Sequence, residues 1–423
     1  MKITILGGAS FSTPALFQGM RGEFATSEFI LVGRSEEHLH NVSRASKLVA
    51  GDQSPKITPL VCDPQTSAAA LKGAAVVLIQ MRIGNMPGRG FDESFPLPFG
   101  LCGDEGLGPG GVSAAWRSWP LIDPWLQAIR QHAPRALVLM MTSPVGILTR
   151  AAHIRFPDLH CIGICEVPYV ALREISTRLA TDFNSIGFEY LGVNHIGWLY
   201  GIRSNDRDLV KEWAELSART GFPSRDIIME WGGIPTKYLR LHFEADAVLT
   251  SQRSVKVPRA VELQRIQSDA LAKYATVSEP QLREMLRRRE TPWYSDAIIP
   301  LLHGMINRES PGPFFLSGPN RGYTAACEAD DILEISCRVE NGAIIRIPSS
   351  TAPPEPIAKL VRQFCTHERV ATDAVLQRDS SLLKAALRVH PWVARASDSV
   401  DRLPSLLAEE ITAGNALLAT SVF

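Results

Sequence analysis

Through the first half of the chain, short runs of β-branched and aliphatic residues alternate with amphipathic stretches of helical length. Lys2–Leu6, Phe29–Val32, Ile57–Val61, Ala75–Gln80, Ala136–Met141 and His160–Ile164 predict strands, with helical patterns such as Glu36–Leu48 and Ala114–Gln131 between them. These strands are apolar nearly throughout, not apolar on alternate positions. That is the pattern of a parallel sheet whose two faces are both covered by helices.

The spacing suits an α/β, Rossmann-like doubly wound domain over residues 1–168. One segment breaks the rhythm. Met81 to Val112, rich in glycine and proline and holding Arg82, Arg89, Asp92, Glu93, Asp104 and Glu105, is long for a strand-to-helix connection. It is expected to be a functional loop at the carboxyl end of a strand, where ligands of such folds bind.

The remainder, 169–423, has a different pattern. Phe188–Val193 and Trp198–Ile202 predict paired strands around Asn194-His195, and helices are expected at 255–274, 279–289 and 294–308. Strands at Glu334–Val339 and Ala343–Arg346 and a helical tail from Pro356 complete an α+β pattern, expected to serve substrate, metal binding and oligomerisation. The arginine- and glutamate-dense stretch 250–291 is read as a solvated helical surface.

Composition narrows the function classes. The 423 residues carry 44 basic and 44 acidic side chains, which removes the electrostatic footprint of a nucleic-acid binder. No apolar run approaches the roughly 18 residues of a membrane span. Met1-Lys2 leads directly into a strand, so no signal peptide is expected. Seven scattered cysteines without a paired framework fit reduced thiols in the cytoplasm.

Several residue groups could carry chemistry. Gly7-Gly8-Ala9-Ser10 is a glycine turn between a strand and a helix opening near Thr13-Pro14, placed to bind a dinucleotide pyrophosphate; a purely structural turn is the plainer alternative. The second strand ends Gly33-Arg34 without the carboxylate that accepts from the ribose of NAD. Arg34 is therefore either a 2′-phosphate contact, making NADP possible, or a surface residue. Cys165 and His195 offer a thiolate and an imidazole for Mn²⁺, Fe²⁺, Co²⁺ or Zn²⁺, although taken alone such a pair is more often a buried cysteine and a satisfied histidine. Tyr238 would act as a base only with a cation nearby to lower its pKa; Asn194 and Glu166 are polar neighbours of these candidates.

In order, Gly7-Gly8-Ala9-Ser10, Gln80-Met81-Arg82-Ile83-Gly84, Arg89-x-x-Asp92-Glu93, Gly103-Asp104-Glu105, Thr142-Ser143-Pro144, Cys165-Glu166-Val167-Pro168, Gly192-Val193-Asn194-His195 and Ile234-Pro235-x-x-Tyr238 resemble glycoside hydrolase family 4, and the likeness continues through Arg289 and Tyr294-Ser295-Asp296. The resemblance implies a C-terminal domain of lactate/malate dehydrogenase type and hydrolysis by transient redox chemistry. Nicotinamide takes hydride from C3 of the sugar, a base removes the acidified C2 proton, the aglycone leaves, water adds and hydride returns. It further implies NAD and a divalent metal, Mn²⁺ foremost, with Cys165 and His195 as ligands and Tyr238 as base. Asn194, Ser143, Glu105 and the arginines 82, 89 and 289 would lie around a sugar bearing a 6-phosphate or carboxylate, and a homodimer or homotetramer is expected.

Four positions depart from the family pattern: Ala9 for a glycine, Gly33-Arg34 for an acidic strand end, Ser143 for asparagine, and Glu166 after the metal cysteine. Glu166 is a carboxylic acid that could protonate the leaving oxygen. The following Val167-Pro168 favours a 6-phospho-β-glucosidase-like enzyme. The alternatives are a sugar or 2-hydroxy-acid dehydrogenase that stops after hydride transfer, and a non-catalytic sugar or nucleotide sensor.

Overall fold

The computed structural model describes residues 1–20, 22–217, 221–396 and 402–421. Six parallel strands form its centre: β1 (Lys2–Leu6), β2 (Glu28–Gly33), β3 (Lys56–Val61), β4 (Val76–Ile79), β5 (Leu137–Met140) and β6 (His160–Ile164). Alternate residues serve opposite faces. Ile3, Ile5, Phe29, Leu31 and Leu78 join one core cluster, while Leu6, Ile30, Val32, Val77, Ile79 and Met140 join the other. This two-sided burial is why the strands are continuously apolar.

β1 pairs with both β2 and β4, so strand order reverses there. The turn after β1, the segment after β4, Ser143 after β5 and Cys165 after β6 consequently share one rim, at the carboxyl ends of the strands. Crevices at such switch points are the ligand sites of doubly wound sheets.

The sheet does not end at β6. A strand not expected from the sequence, β11 (Glu309–Pro319), runs antiparallel to β6 and pairs with β12 (Ile332–Glu340), which pairs with β13 (Ala343–Arg346). The sheet thus has nine strands in the order β13-β12-β11-β6-β5-β4-β1-β2-β3. Pro311, Gly312, Pro313 and Gly318 hide β11 in the sequence, since both residue types are depleted in strands; its ladder slips register between Ser310 and Phe314.

A smaller sheet holds β7 (Gly187–Val193), β8 (Ile196–Ser204), the short β9 (Arg207–Asp208) and β10 (Gly233–Pro235). β7 and β8 are joined by the two residues Asn194-His195, with Val193 paired to Ile196, and His195 takes a left-handed φ of 68°. A non-glycine residue held there stores strain, a recurrent mark of functional sites.

The Met81–Val112 segment is not the long loop expected. It contains a helix, Asn85–Ser94, and the helix Gly108–His132 begins six residues before the predicted Ala114. Its glycines serve packing: a Cβ on Gly110 would lie 2.1 Å from the Asp104 carbonyl oxygen. The predicted 255–274 helix starts after Pro258, at Arg259, and the 294–308 stretch opens with a π turn over Trp293–Ile298 before its helix. The tail is helical over Glu355–Gln377, Ser380–Val389, Pro391–Ala396 and Arg402–Ser421; 397–401 lie outside the described residues. Among the described residues no helix is long and apolar enough to cross a membrane.

The turn after β1 presses directly on β2. The Gly7 and Gly8 amides both donate to the Val32 carbonyl, at 3.1 and 2.8 Å, and a Cβ on Gly8 would sit 2.7 Å from Leu31 Cα. Backbone cannot swing aside as a side chain can. Gly8→Ala is therefore expected to cost about 1–3 kcal/mol of stability, read as a lower denaturation midpoint; an unchanged midpoint would show that the turn is slack.

Candidate active site

The rim is organised around a carboxylate that the sequence analysis did not single out. Glu334 on β12 is fully buried, yet accepts from the Tyr190 hydroxyl at 2.5 Å, from Asn194 Nδ2 at 3.0 Å, from the Cys165 thiol and from the His195 backbone N–H. Burial outweighs these donors and pushes its pKa up to about 7. Ile332-Leu333-Glu334-Ile335 held the available signal, because a charge in an otherwise apolar strand has no place unless it is paired inside.

Glu334 gathers the expected metal ligands. Cys165 is buried at the end of β6, its sulfur also accepting from the Val167 N–H at 3.4 Å. Burial, and then the carboxylates of Glu334 and Glu166, push its thiol well above the ordinary range. His195 is driven the other way: burial and Lys237 lower its pKa to about 3, so the imidazole is neutral. Its Nδ1 is buried without a partner among the described residues. An unpartnered neutral imidazole nitrogen on His195 and a thiol beside Glu334 are donor types that fit a divalent first-row cation. Asn194, expected to meet substrate, turns its amide nitrogen inward to Glu334.

Tyr238 lies flat on His195, ring centroids 4.2 Å apart and planes within 6°. Its pKa is not lowered: burial raises it, and Asp104, Glu166 and Cys165 add to the effect, opposed by Arg89. Lys237 Nζ lies 5.3 Å from the ring centroid. In the protein alone, then, Tyr238 is a protonated phenol. Asp104, which accepts from the Gly106 N–H at 2.8 Å, is pushed up to about 6 by burial. Glu166 opens the helix Val167–Arg178, and its carboxyl is raised by burial although Lys237 opposes the shift. Ser143 faces the Gly106 turn from the end of β5: a Cβ on Gly106 would lie 3.4 Å from its hydroxyl.

The three arginines converge. Glu105 bridges Arg82 and Arg89, the latter at 2.9 Å, and Arg89 also bonds Glu93 at 2.7 Å. Burial, and then the neighbouring Arg89 and Arg289, pull Arg82 down to about 9. Arg289 lies against the rings of Phe11 and Trp293, 4.9 and 5.6 Å from their centroids, and its Nη1 is buried with no partner among the described residues. Burial and Arg89 lower its pKa to about 10. Two of the guanidinium groups are thus occupied by carboxylates, while the third keeps a donor open.

The glycine turn is held from across the molecule. Gln80 donates to the Gly7 carbonyl and to Thr13 Oγ1, Tyr294 donates to Gln80 Oε1 at 2.7 Å, and Tyr274 donates to the Phe11 carbonyl at 2.5 Å. Two departures from the family pattern prove to be one. A Cβ on Gly33 would lie 3.0 Å from the Ala9 methyl, so alanine at 9 fills the space a side chain at 33 would need. Arg34 is exposed beyond that contact, beside the Ser35 that caps the next helix.

The doubly wound sheet thus carries a thiol, an imidazole and a phenol at its carboxyl rim, and the chain belongs to the family 4 glycosyl hydrolases. It matches Family 4 glycosyl hydrolase over residues 2–181 and Family 4 glycosyl hydrolase C-terminal domain over residues 190–393. It is 26% identical over 416 residues to the 6-phospho-beta-glucosidase BglT of Thermotoga maritima, covering 96% of this chain and 98% of that one. To the probable 6-phospho-beta-glucosidase of Bacillus subtilis it is 27% identical over 444 residues, covering 99% and 97%. The 6-phospho-beta glucosidase from Thermotoga maritima solved with manganese, NAD+ and glucose-6-phosphate matches with a TM-score of 0.84 at 26% identity over 99% of each chain. The malate dehydrogenase from Picrophilus torridus, 11% identical with a TM-score of 0.55 over 89% and 98% of the chains, shares the fold alone.

Removing the central carboxylate should expose its importance. Glu334→Ala leaves the Tyr190, Asn194 and Cys165 donors buried and unpaired, at about 1–3 kcal/mol for each group left unsatisfied. A fall in the denaturation midpoint is expected, largely recovered in Glu334→Gln, which keeps an acceptor. Equal midpoints for Glu334→Ala and the parent would show that the donors find other partners.

Proposed function

We propose that this protein hydrolyses a 6-phosphorylated glucoside, of β configuration, with NAD and a divalent cation, manganese foremost. The observation that carries the phosphate is Arg289, whose buried Nη1 stays open while Arg82 and Arg89 are held by Glu105. A forked guanidinium backed by aromatic rings suits a phosphate oxygen. The β configuration rests on the names of the relatives with near full-length coverage and on Val167-Pro168 after Glu166.

Cys165 and His195 would hold the cation, and the Gly7–Ser10 turn the dinucleotide. When bound, nicotinamide exchanges hydride with C3 of the sugar, and the cation polarises the C2 and C3 oxygens so that the C2 proton becomes acidic. Tyr238, stacked on His195, is placed to take that proton once positive charge beside it offsets the burial that now raises its pKa. Glu166, whose pKa burial raises, would hand a proton to the leaving oxygen. Asn194, drawn toward Glu334, holds the His195 turn and reaches substrate only through its remaining oxygen. Ser143 and Glu105 border the same cleft. The Gly33-Arg34 strand end leaves NADP as an alternative cofactor. A reaction using a phosphorylated sugar and a nicotinamide cofactor belongs in the cytoplasm, in a dimer or tetramer of this chain.

The test is a panel of nitrophenyl α- and β-glucosides, with and without 6-phosphate, assayed with NAD or NADP plus Mn²⁺. Aglycone release is expected from the 6-phospho-β-glucoside, without accumulation of reduced nicotinamide, and chelation should abolish it. Arg289→Ala should raise KM for the phosphorylated substrate roughly ten- to hundredfold, as loss of a charge-assisted hydrogen bond of about 1.5–3 kcal/mol implies. Stoichiometric reduced nicotinamide would identify a dehydrogenase instead. Tyr238→Phe should lower kcat about 10²-fold or more and stop exchange of the C2 hydrogen with deuterated solvent, while leaving nucleotide binding intact. Exchange at the parental rate would remove Tyr238 from the proton transfer.

A further inference from the structure

A second group of reactive side chains lies where the β11–β12 connection meets the helix Glu355–Gln377. Cys327 on the connection, Asp331 at its end and Cys365 on the helix bring two sulfurs and a carboxylate oxygen within 4.8 Å of one another. Cys365 and Asp331 are buried and Cys327 is half-buried, so one sulfur can meet solvent and the other cannot.

The connection is pinned. Asn320 Nδ2 donates to the carbonyls of Thr324, Cys327 and Glu328 at 2.8–3.1 Å, and its Oδ1 accepts from the Thr324 N–H at 2.9 Å. Asp331 is bonded at both oxygens: one accepts from Arg369 at 2.5 Å, the other from the Glu328 N–H at 2.9 Å. Arg362 donates to the Ala326 carbonyl at 3.3 Å, putting a second guanidinium beside Cys327.

Two chemistries are open to such a group, and the charges separate them. A cation would share Asp331 with Arg369 and sit among two arginines, which oppose positive charge there. A thiolate gains from the same arginines. The hydrogen bond from Cys365 holds the Cys327 thiol below the ordinary range, with Arg362 and Arg369 assisting against burial and Asp331, while Cys365, its partner, is pushed up. A solvent-reachable, acidic thiol beside a buried second thiol is the arrangement of a peroxide-sensitive pair.

We propose that Cys327 and Cys365 form a reversible redox pair, oxidised to an intramolecular disulfide by hydroperoxide. The Cys327 thiolate attacks a peroxide oxygen, the O–O bond breaks, and hydroxide leaves to be protonated to water, giving the Cys327 sulfenic acid. The Cys365 sulfur then attacks Cys327, an S–S bond forms as the S–O bond breaks, and a second water departs. The two thiols lose two electrons and two protons, and one hydrogen peroxide becomes two waters. Dithiol reductant reverses the step. The pair lies outside the glycosidase site and does not depend on the substrate assigned above.

The experiment treats the full-length protein with hydrogen peroxide, counts free thiols after denaturation and maps tryptic peptides without reduction. The expected result is a loss of two thiols and a cross-link between the peptides carrying Cys327 and Cys365, both reversed by dithiothreitol. Cys365→Ser should abolish the cross-link and leave Cys327 as a sulfenic acid trapped by dimedone. Cys327→Ser should abolish both cross-link and trapping at this loop. Because serine is close in size to cysteine, circular dichroism matching the parent certifies the variants. Oxidation at other cysteines with Cys327 and Cys365 still reduced would overturn the proposal. So would a zinc ion retained at one per chain and lost in Cys365→Ser, which would make the group a metal site.

Discussion

A charged group buried in a sheet is tolerable only when several donors converge on it, and Glu334 makes that requirement the organising constraint of the rim. Its carboxylate collects the Tyr190 hydroxyl from β7, the Asn194 amide and His195 backbone N–H from the β7–β8 turn, and the Cys165 thiol from the end of β6. Those elements come from three places in the chain. The desolvation cost of one carboxylate is offset only if all of them arrive together. The same hydrogen bonds hold the Cys165 sulfur and the His195 backbone at one carboxylate, and Nδ1 of the histidine has no partner among the described residues.

Electrostatics in the cleft follow the same logic of incomplete satisfaction. Buried carboxyls at 104, 166 and 334 are pushed toward neutrality, His195 is pushed to its neutral form, and the Tyr238 phenol keeps its proton. Each of these shifts opposes charge where water is excluded. A divalent ion between Cys165 and His195 would reverse the sign for the thiol and the phenol at once. The arginine cluster is the complementary case, three like charges only partly neutralised by Glu93 and Glu105. An anionic substrate relieves it.

Much of this was legible along the chain. The six parallel strands, the glycine turn and the positions of Cys165, His195, Tyr238 and the arginines followed from local pattern or from the family resemblance, because each is written in a short contiguous motif. β11 was not legible: its prolines and glycines resemble a loop, and only pairing with β6 and β12 makes it a strand. The helix Asn85–Ser94 was hidden for the same reason, its glycines being spent on close packing and not on flexibility. Ala9 and Gly33, taken separately, weakened the dinucleotide pattern. A side chain at 33 would crowd the Ala9 methyl, its Cβ lying 3.0 Å away, so the two positions constrain each other across the turn.

The order of apolar and polar residues determined the doubly wound sheet and the identity of the chemical groups, since strand period and short motifs are local properties that any folded context must accommodate. Tertiary structure decided the rest. That Glu334, distant in sequence from every motif, joins Cys165 and Asn194, and that Arg289 keeps a buried donor open, depend on which buried polar groups find partners. Such accounting is settled across the whole molecule, because the cost of an unpaired group is incurred only once water has been excluded.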